Sequence, residues 1–146
     1  MGVIQSSVEI ERSPEEVFAY LDDLDRHGEW QEAITRSRTL TPGPVGVGSR
    51  AVDTRLMGRR EQDVTYEIVE HAPPTKVVFR GVDGPIRPHG TVTVEPLDDG
   101  RRSRVTIRLE LVGHGLGRLI APLASRQARV QVPVDQRRLK EVLEGR

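Results

Sequence analysis

Hydrophobic and polar residues alternate along most of the first 112 residues, which is the pattern of half-buried β-strands. Alternation is clearest over 103–112, where Val105, Ile107, Leu109 and Leu111 occupy every second position between charged residues and a threonine. One face of that strand is therefore expected to be buried and the other to face water. The same reading predicts six further strands, over 3–11 and near 33–41, 50–57, 61–70, 76–81 and 90–96.

The breaks between the later strands are short and contain turn-forming residues. Short connections join neighbouring strands as hairpins, so the strands are expected to form an antiparallel meander. The turn signals are Pro42-Gly43-Pro44, Gly58, Pro73-Pro74, Gly84-Pro85 and Asp98-Asp99-Gly100.

Two short helical segments follow the first strand, and a long helix ends the chain. Ser13 has the character of an N-cap, Pro14 suits the first helical position, and Glu16 completes a capping-box pattern. This helix is predicted to run to about Asp22, with a short second helix or turn over 25–30. The tail over 115–143 is helical by periodicity. Pro133 lies inside it and predicts a kink near 129–133, or a helix broken in two.

These elements predict one α+β domain over 1–146. A sheet with one wet face must cover its other face, and only the C-terminal helix is long enough to do so. Because seven strands twist and curl, a single helix is expected to leave part of the concave side unfilled. A cavity between sheet and helix is therefore expected.

Composition excludes several kinds of site. Lys+Arg and Asp+Glu both total 22, so a neutral chain has little long-range attraction for nucleic acid or anionic membranes. Cysteine is absent, and the four histidines, His27, His71, His89 and His114, lack the spacing of metal ligands. We therefore expect no metal, no cofactor and no nucleic-acid partner.

The longest purely apolar runs contain a few residues, far fewer than the roughly 20 that cross a bilayer. Residues 1–12 alternate and lack the apolar core of a secretion signal. The sequence therefore predicts a cytoplasmic protein without membrane insertion, and its arginine-rich, lysine-poor composition is typical of a GC-rich bacterial genome.

The order of elements and four local patterns resemble the START/SRPBCC superfamily, which includes polyketide cyclases, START lipid-transfer domains and the major birch-pollen allergen. The matching segments span almost the whole chain: SVEIERSPEEVFAYLDDLDRHGEWQEAI, VGVGSR, YEIVEHAPPTKVVFR and HGLGRLIAPLASRQAR. Among its branches, the bacterial polyketide cyclases/dehydrases have the most similar sequence patterns. The resemblance implies a helix-grip fold, in which a curved seven-stranded antiparallel sheet wraps around the long C-terminal helix. It does not choose a function, because members include enzymes, lipid carriers, receptors and co-chaperones.

Strand parity sorts the candidate ligand-binding residues from the exposed ones. On the third strand, Val52, Thr54 and Leu56 are expected to face inward, leaving Asp53 and Arg55 outside. The other positions expected to face the cavity are Gln62, Val64, Tyr66, Ile68, Val77, Phe79, Val92, Val94 and Ile107. Such a mostly aliphatic lining with few polar groups is typical of small-molecule sites.

Three of these candidates have a plain structural alternative. Tyr66 either orients a ligand or is a core tyrosine whose hydroxyl bonds to the backbone. Gln62 and Thr54 lie toward the end of a strand, where simple exposure is the favoured alternative. Trp30, the only tryptophan, either closes one end of the cavity or packs the short helix onto the sheet.

The C-terminal helix carries two apolar stripes. The first contains small residues over the middle of the sheet, including Ala124, which leave volume for a ligand, and Ile120 is expected to contribute to the same lining. The second, Leu119, Leu123, Val130 and Val134, is expected to pack on the sheet edge, with the pocket mouth or a dimer contact as alternatives. The protein is accordingly expected to be a monomer or a homodimer.

Two functions follow from the predicted cavity, and a third does not need it. The favoured hypothesis is binding of a small, largely apolar molecule, with Tyr66 orienting it and the loop GVDGPIRPHG gating entry as a mobile rim. The second is a cyclase, aromatase or dehydratase, for which Tyr66, or His89 if the rim folds inward, is the candidate catalytic group. By parity His89 points outward. The third is an interaction module of the co-chaperone type.

Overall fold

The computed structural model describes residues 2–146 and contains seven strands, two α-helices and one short 3-10 helix. In chain order the elements are β1 Ile4–Ile10, α1 Pro14–Leu21, the 3-10 helix Leu24–Glu29, β2 Ile34–Thr39, β3 Arg50–Met57, β4 Arg60–Ala72, β5 Lys76–Gly81, β6 Ile86–Leu97, β7 Arg102–Gly113 and α2 Gly117–Glu144. The predicted element order is confirmed. The main difference is β6, which begins four residues before the predicted boundary at residue 90.

All seven strands form one antiparallel sheet in the order β1-β7-β6-β5-β4-β3-β2. Strands β2 to β7 form the predicted meander, because each pairs with the next along the chain. β1 then joins the meander beside β7. This architecture is the helix-grip α+β fold that the sequence led us to expect.

Helix α1 begins where the sequence predicts. The Ser13 hydroxyl oxygen accepts a hydrogen bond from the backbone N–H of Glu16 at 3.2 Å, which satisfies one of the free donors of the first turn. The same hydroxyl donates to the Glu16 carboxylate at 3.3 Å. Val17, Phe18 and Leu21 are buried on the sheet side of the helix.

Helix α2 is continuous from Gly117 to Glu144 although it contains Pro122 and Pro133. The predicted alternative of a helix broken in two at Pro133 is therefore wrong. Tertiary contacts hold the segment that follows Pro133. The Gln136 amide nitrogen donates to the carbonyl oxygens of Ser6 at 2.9 Å and Val105 at 3.3 Å, and Leu139 is fully buried. Helical structure in proteins depends mainly on such packing.

The long helix lies to one side of the sheet. It packs on β1 and β7 and, less extensively, on β6, where its buried C-terminal residues join α1 and Trp30 in the main hydrophobic core. A smaller cluster covers one end of β3 and β4, formed by Leu24, Ala51, Tyr66 and Ile68. Within the described chain, the concave face of β3–β5 lies beyond the principal contacts of α2. We call this part of the concave face, together with the facing side of α2, the trough.

Candidate functional site

The register of the central strands defines which side chains line the trough. Residues that pair directly across antiparallel strands lie on the same face. Tyr66 pairs with Ala51 and Gly81, Ile68 with Phe79, and Val77 with Val92. The predicted inward orientation is confirmed for Val64, Tyr66, Ile68, Val77, Phe79, Val92, Val94 and Ile107.

The predicted orientation of β3 is wrong. Ala51 and Asp53 pair with Tyr66 and Val64, so the odd-numbered residues of β3 face the trough and the even-numbered ones face away. Thr54 is buried on the outer face, where its hydroxyl donates to the Asp63 carboxylate at 2.7 Å. The physical reason is the two-residue turn at Gly58 and Arg59, which pairs Met57 with Arg60 and thereby fixes the alternation.

Two other predicted positions also lie outside the trough lining. Leu56 is 49% exposed on the outer face of β3. Gln62 shares a face with Tyr66 but is exposed near the start of β4, which is the alternative that the sequence favoured.

The apolar wall of the trough is incompletely covered by the rest of the chain. In the middle of the concave face, Val77, Phe79 and Val92 are only partly buried, although they lie on three strands of the sheet interior. Opposite the sheet, the N-terminal half of α2 presents the small buried residues Ala121, Ala124 and Ser125. Ala124 is buried on α2, and its place in the ligand lining stays a prediction. Partly exposed apolar side chains on the sheet are the kind of surface that binds an apolar guest molecule. That the sheet and α2 enclose a cavity stays a prediction.

Two surface concavities lie outside the trough. One, of about 380 Å³, is bounded by α1 and the C-terminal end of α2. The other, of about 390 Å³, lies at the β5–β6 hairpin and is lined by Arg80, Gly81, Val82, Arg87, His89, Val112 and His114.

Tyr66 is the central polar residue of the trough wall. It is 6% exposed, and its ring meets the Phe79 ring edge-on with centroids 5.7 Å apart. The Phe79 ring lies over Gly90, where any Cβ atom would collide with it. The Tyr66 hydroxyl has no hydrogen-bond partner within residues 2–146, so the alternative of a backbone partner is wrong. Burial is the main reason that the pKa of Tyr66 is raised, with the nearby Asp53 carboxylate adding to it.

Three further polar atoms are buried on the elements that face the sheet and also lack a partner in the described chain. They are the indole nitrogen of Trp30, the hydroxyl oxygen of Ser125 and the side-chain oxygen of Gln136. Trp30 packs in the main core and its ring lies edge-on to His27 with centroids 6.0 Å apart, which confirms that it packs the short helix onto the sheet. Whether it also closes one end of the trough stays a prediction.

The corrected orientation of β3 brings a charged group to the trough that parity had excluded. The Asp53 carboxylate is 5% exposed and accepts a hydrogen bond from the Ser37 hydroxyl at 2.8 Å. The Arg55 guanidinium donates to the side-chain oxygen of Gln31. Its positive charge opposes the rise in the pKa of Tyr66.

Asp135 contributes a second buried carboxylate from α2. It accepts hydrogen bonds from the Gln131 amide at 2.8 Å and from the backbone N–H of Glu32 at 3.2 Å. Burial raises the pKa of Asp135, while these hydrogen bonds and the positive charge of Arg55 oppose the rise. Parity and periodicity gave no signal for Asp135, because a polar residue at a helix position facing the sheet resembles an exposed one in sequence.

The second stripe of α2 is not packed as predicted. Leu119 is 81% exposed, Leu123 57% and Val130 70%, so the favoured prediction that they pack on the sheet edge is wrong for these three, whereas Val134 is partly buried. Ile120 is 46% exposed beside the buried Ala124, and its place in the lining stays a prediction. A helix of 28 residues that buries one side against a sheet leaves its other side exposed.

The predicted mobile rim is mostly strand. β6 begins at Ile86, which reduces the connection to residues 82–85, and the backbone N–H of His114 donates to the carbonyl oxygen of Pro85 at 2.8 Å. His89 pairs with Arg80 and Glu110, on the outer face of the sheet, which confirms its predicted orientation. Because His89 belongs to a paired strand and its side chain is on the outer face, it cannot reach the trough.

No three His, Asp or Glu side chains of residues 2–146 converge as metal ligands would. Nor does either described α-helix have the length and apolar character of a membrane span.

Comparisons with known proteins give one consistent picture. A family model described as polyketide cyclase/dehydrase and lipid transport matches residues 1–144. Uncharacterized protein Rv1546 of Mycobacterium tuberculosis is 30% identical over 146 residues, covering 99% of this chain and 98% of that protein. The Zhui aromatase/cyclase of Streptomyces sp. R1128 superposes with a TM-score of 0.84 at 11% identity, over 98% of this chain and 93% of that one. A START superfamily protein of Mycobacterium smegmatis superposes with a TM-score of 0.77 at 13% identity, over 98% of this chain and 97% of that one.

Proposed function

Because the chain belongs to the polyketide cyclase/dehydrase and lipid-transport family, we propose that its trough binds a small, largely apolar molecule that carries a hydrogen-bond acceptor. An aromatic or polyketide-like ketone has this chemistry. The ligand lies between α2 and the concave face of β3–β5, and its polar group meets Tyr66.

The observation that carries this proposal is the buried, unpartnered hydroxyl of Tyr66. A buried donor without a partner costs about 1–3 kcal/mol, and an acceptor on a ligand would remove that cost. The surrounding Phe79, Val77 and Val92 offer apolar area, which contributes roughly 25 cal/mol per Å² removed from water.

Titration calorimetry with α-tetralone, a bicyclic aryl ketone, tests the proposal. The wild-type protein is expected to bind it, and Tyr66→Phe is expected to weaken binding by roughly five- to tenfold, the equivalent of one hydrogen bond. Phe79→Ala is expected to weaken it further by removing apolar contact. Leu56→Ala is the matched control, because Leu56 lies on the outer face of the same sheet. Unchanged affinity in both trough variants, or loss of affinity in Leu56→Ala, would contradict the assignment.

A cyclase or dehydratase is the second candidate, and the buried Asp135 favours it. A carboxyl group whose pKa is raised by burial holds its proton more tightly than an ordinary aspartate, which favours a role in proton transfer. In such a reaction Tyr66 holds the substrate carbonyl, Asp135 takes the proton from the neighbouring carbon, and Arg55 stabilises the enolate charge. The enolate then expels the β-hydroxyl as its C–O bond breaks, and Asp135 returns the proton to it, so that water leaves.

Conversion of a β-hydroxy aryl ketone to its enone separates the two candidates, because the enone absorbs at longer wavelength. For an enzyme, Asp135→Asn is expected to abolish conversion while α-tetralone still binds. Asp63→Asn changes a carboxylate on the outer face and serves as the control. If the wild-type protein binds the ketone without converting it, the second candidate is rejected and the binding function stands.

A further inference from the structure

Five large apolar side chains lie in one line on the exposed side of α2 and at its N-terminal end. Their exposed fractions are 80% for Leu116, 81% for Leu119, 46% for Ile120, 57% for Leu123 and 70% for Val130. Single exposed apolar residues are ordinary on protein surfaces, whereas a contiguous group marks an interaction site. We call these five residues the apolar stripe.

The apolar stripe is exposed within residues 2–146. At 3.6 residues per turn Leu119, Leu123 and Val130 lie on the side of α2 away from the buried positions Gly117, Ala121 and Ala124, and Leu116 and Ile120 flank that side. Those buried positions already face the sheet. The apolar stripe therefore points away from the sheet and is available to something outside the chain.

Charge indicates what that occupant is. Residues 111–134 contain three arginines, Arg118, Arg126 and Arg129, and no acidic residue. None of the three forms an ion pair within residues 2–146. Residues 111–134 are therefore basic and apolar, although the net charge of the whole chain is zero. A second copy docking symmetrically on this segment would bring like charges together, whereas an anionic surface would complement them.

The same end of the sheet carries further apolar and basic groups. Antiparallel pairing places the β3–β4 turn, the β5–β6 hairpin and the start of α2 at one end. At the first of these, Leu56 and Met57 are exposed beside Arg59 and Arg60. At the second lies the concavity of about 390 Å³ lined by two arginines and two histidines.

We propose that this end of the molecule docks on an anionic lipid bilayer, with the apolar stripe lying in the interface and the neighbouring arginines contacting lipid phosphates. Exposed apolar residues flanked by arginine are what interfacial helices use to bind membranes without crossing them. Basic residues near the surface add attraction to anionic lipids. The docking does not depend on whether a ligand occupies the trough.

Vesicle flotation with the full chain tests this, using vesicles of phosphatidylcholine alone or mixed with phosphatidylglycerol. The wild-type protein is expected to float with the mixed vesicles and at least about tenfold less with the neutral ones. Leu119→Ser with Leu123→Ser is expected to abolish flotation, and Arg118→Gln with Arg126→Gln to remove the preference for anionic lipid. Since these side chains are exposed, the variants are expected to keep the wild-type unfolding temperature and α-tetralone affinity.

The controls change matched residues at the opposite end of the sheet. Val47 is 70% exposed in the β2–β3 connection, and Arg101 is exposed in the β6–β7 turn. Val47→Ser and Arg101→Gln are expected to float like the wild-type protein. Absence of flotation with mixed vesicles overturns the proposal. So does a dimer in sedimentation that is lost in Leu119→Ser with Leu123→Ser while neither protein floats, because the apolar stripe is then a contact between copies.

Discussion

At the scale of single residues, the Tyr66 hydroxyl makes a prediction about stability as well as binding. Since it is buried without a partner, removing it is expected to leave the unligated protein as stable as wild type or up to about 1 kcal/mol more stable. Urea denaturation of Tyr66→Phe measures this. A loss of stability greater than about 1 kcal/mol would mean that the hydroxyl makes a hydrogen bond in the folded protein.

Asp135 is predicted to lower stability at neutral pH. Burial raises its pKa in the folded protein, so the folded state holds the proton more tightly than the unfolded state. Its contribution is therefore most favourable below the ordinary aspartate pKa of 3.8 and is lost as the pH rises through the raised value. Asp135→Asn is expected to unfold at a higher temperature than wild type at neutral pH, and this advantage is expected to shrink toward pH 3. If the unfolding temperatures of Asp135→Asn and wild type differ by the same amount at all pH values, the raised pKa of Asp135 is not the cause of the difference.

Glu144 on the same helix is predicted to behave in the opposite way. Its carboxylate accepts hydrogen bonds from Lys140 at 2.7 Å and from the backbone N–H of Glu11 at 2.9 Å, which together lower its pKa. The resulting stability is present above the ordinary glutamate pKa of 4.5 and is lost as the pH falls through the lowered value. Thermal unfolding of Glu144→Gln is expected to show a destabilisation at neutral pH that fades in acid. A destabilisation that persists below the lowered pKa would argue against it.

At the scale of elements, the contact between α2 and the β5–β6 hairpin depends on a glycine. A Cβ atom at Gly117 would collide with the backbone carbonyl of Pro85, which a side-chain movement cannot relieve. Gly117→Ala is expected to cost about 1–3 kcal/mol in the free energy of unfolding. Gly46→Ala is the control, because a Cβ atom there meets nothing within 4 Å. Equal stability of the two variants would show that the hairpin moves away freely.

The orientation of β3 is the part of the site that apolar parity did not predict. Apolar parity favoured Val52 and Leu56 as the inward set, since aliphatic residues usually face a core. The turn residue Gly58 carried better information: its φ of 65° suits a two-residue hairpin, and that loop length alone pairs Ala51 with Tyr66. A register taken from the turn would have brought Asp53 and Arg55 to the trough.

Helix α2 was predictable in extent but not in its surroundings. Its periodicity located both apolar stripes, because the 3.6-residue repeat is independent of tertiary structure. Which stripe the sheet covers depends on the placement of the helix over β1 and β7 rather than over the sheet's middle. The same placement explains why Pro133 does not end the helix, since contacts beyond it at Gln136 and Leu139 compensate for the lost hydrogen bond.

At the scale of the whole molecule, the sheet order followed from simple rules. Short turns forced β2 to β7 into a meander, and β1 had only a free edge to join. The partly exposed apolar face of β3–β5 then follows from the size of the helix relative to the sheet, because one helix packed toward β1 and β7 leaves β3–β5 outside its principal contacts. The size of the helix relative to the sheet does not predict the polar groups of the trough, which are Tyr66, Asp53, Arg55 and Asp135.

Nuclear Overhauser effects between α-tetralone and the protein test the account most directly, because they report which protons lie beside the bound molecule. We predict effects from the ligand to the rings of Tyr66 and Phe79, to the methyl groups of Val77 and Val92, and to Ala124 on α2. Effects confined to the outer face, for example to Leu56, or to the apolar stripe would contradict the assignment of the trough as the ligand site.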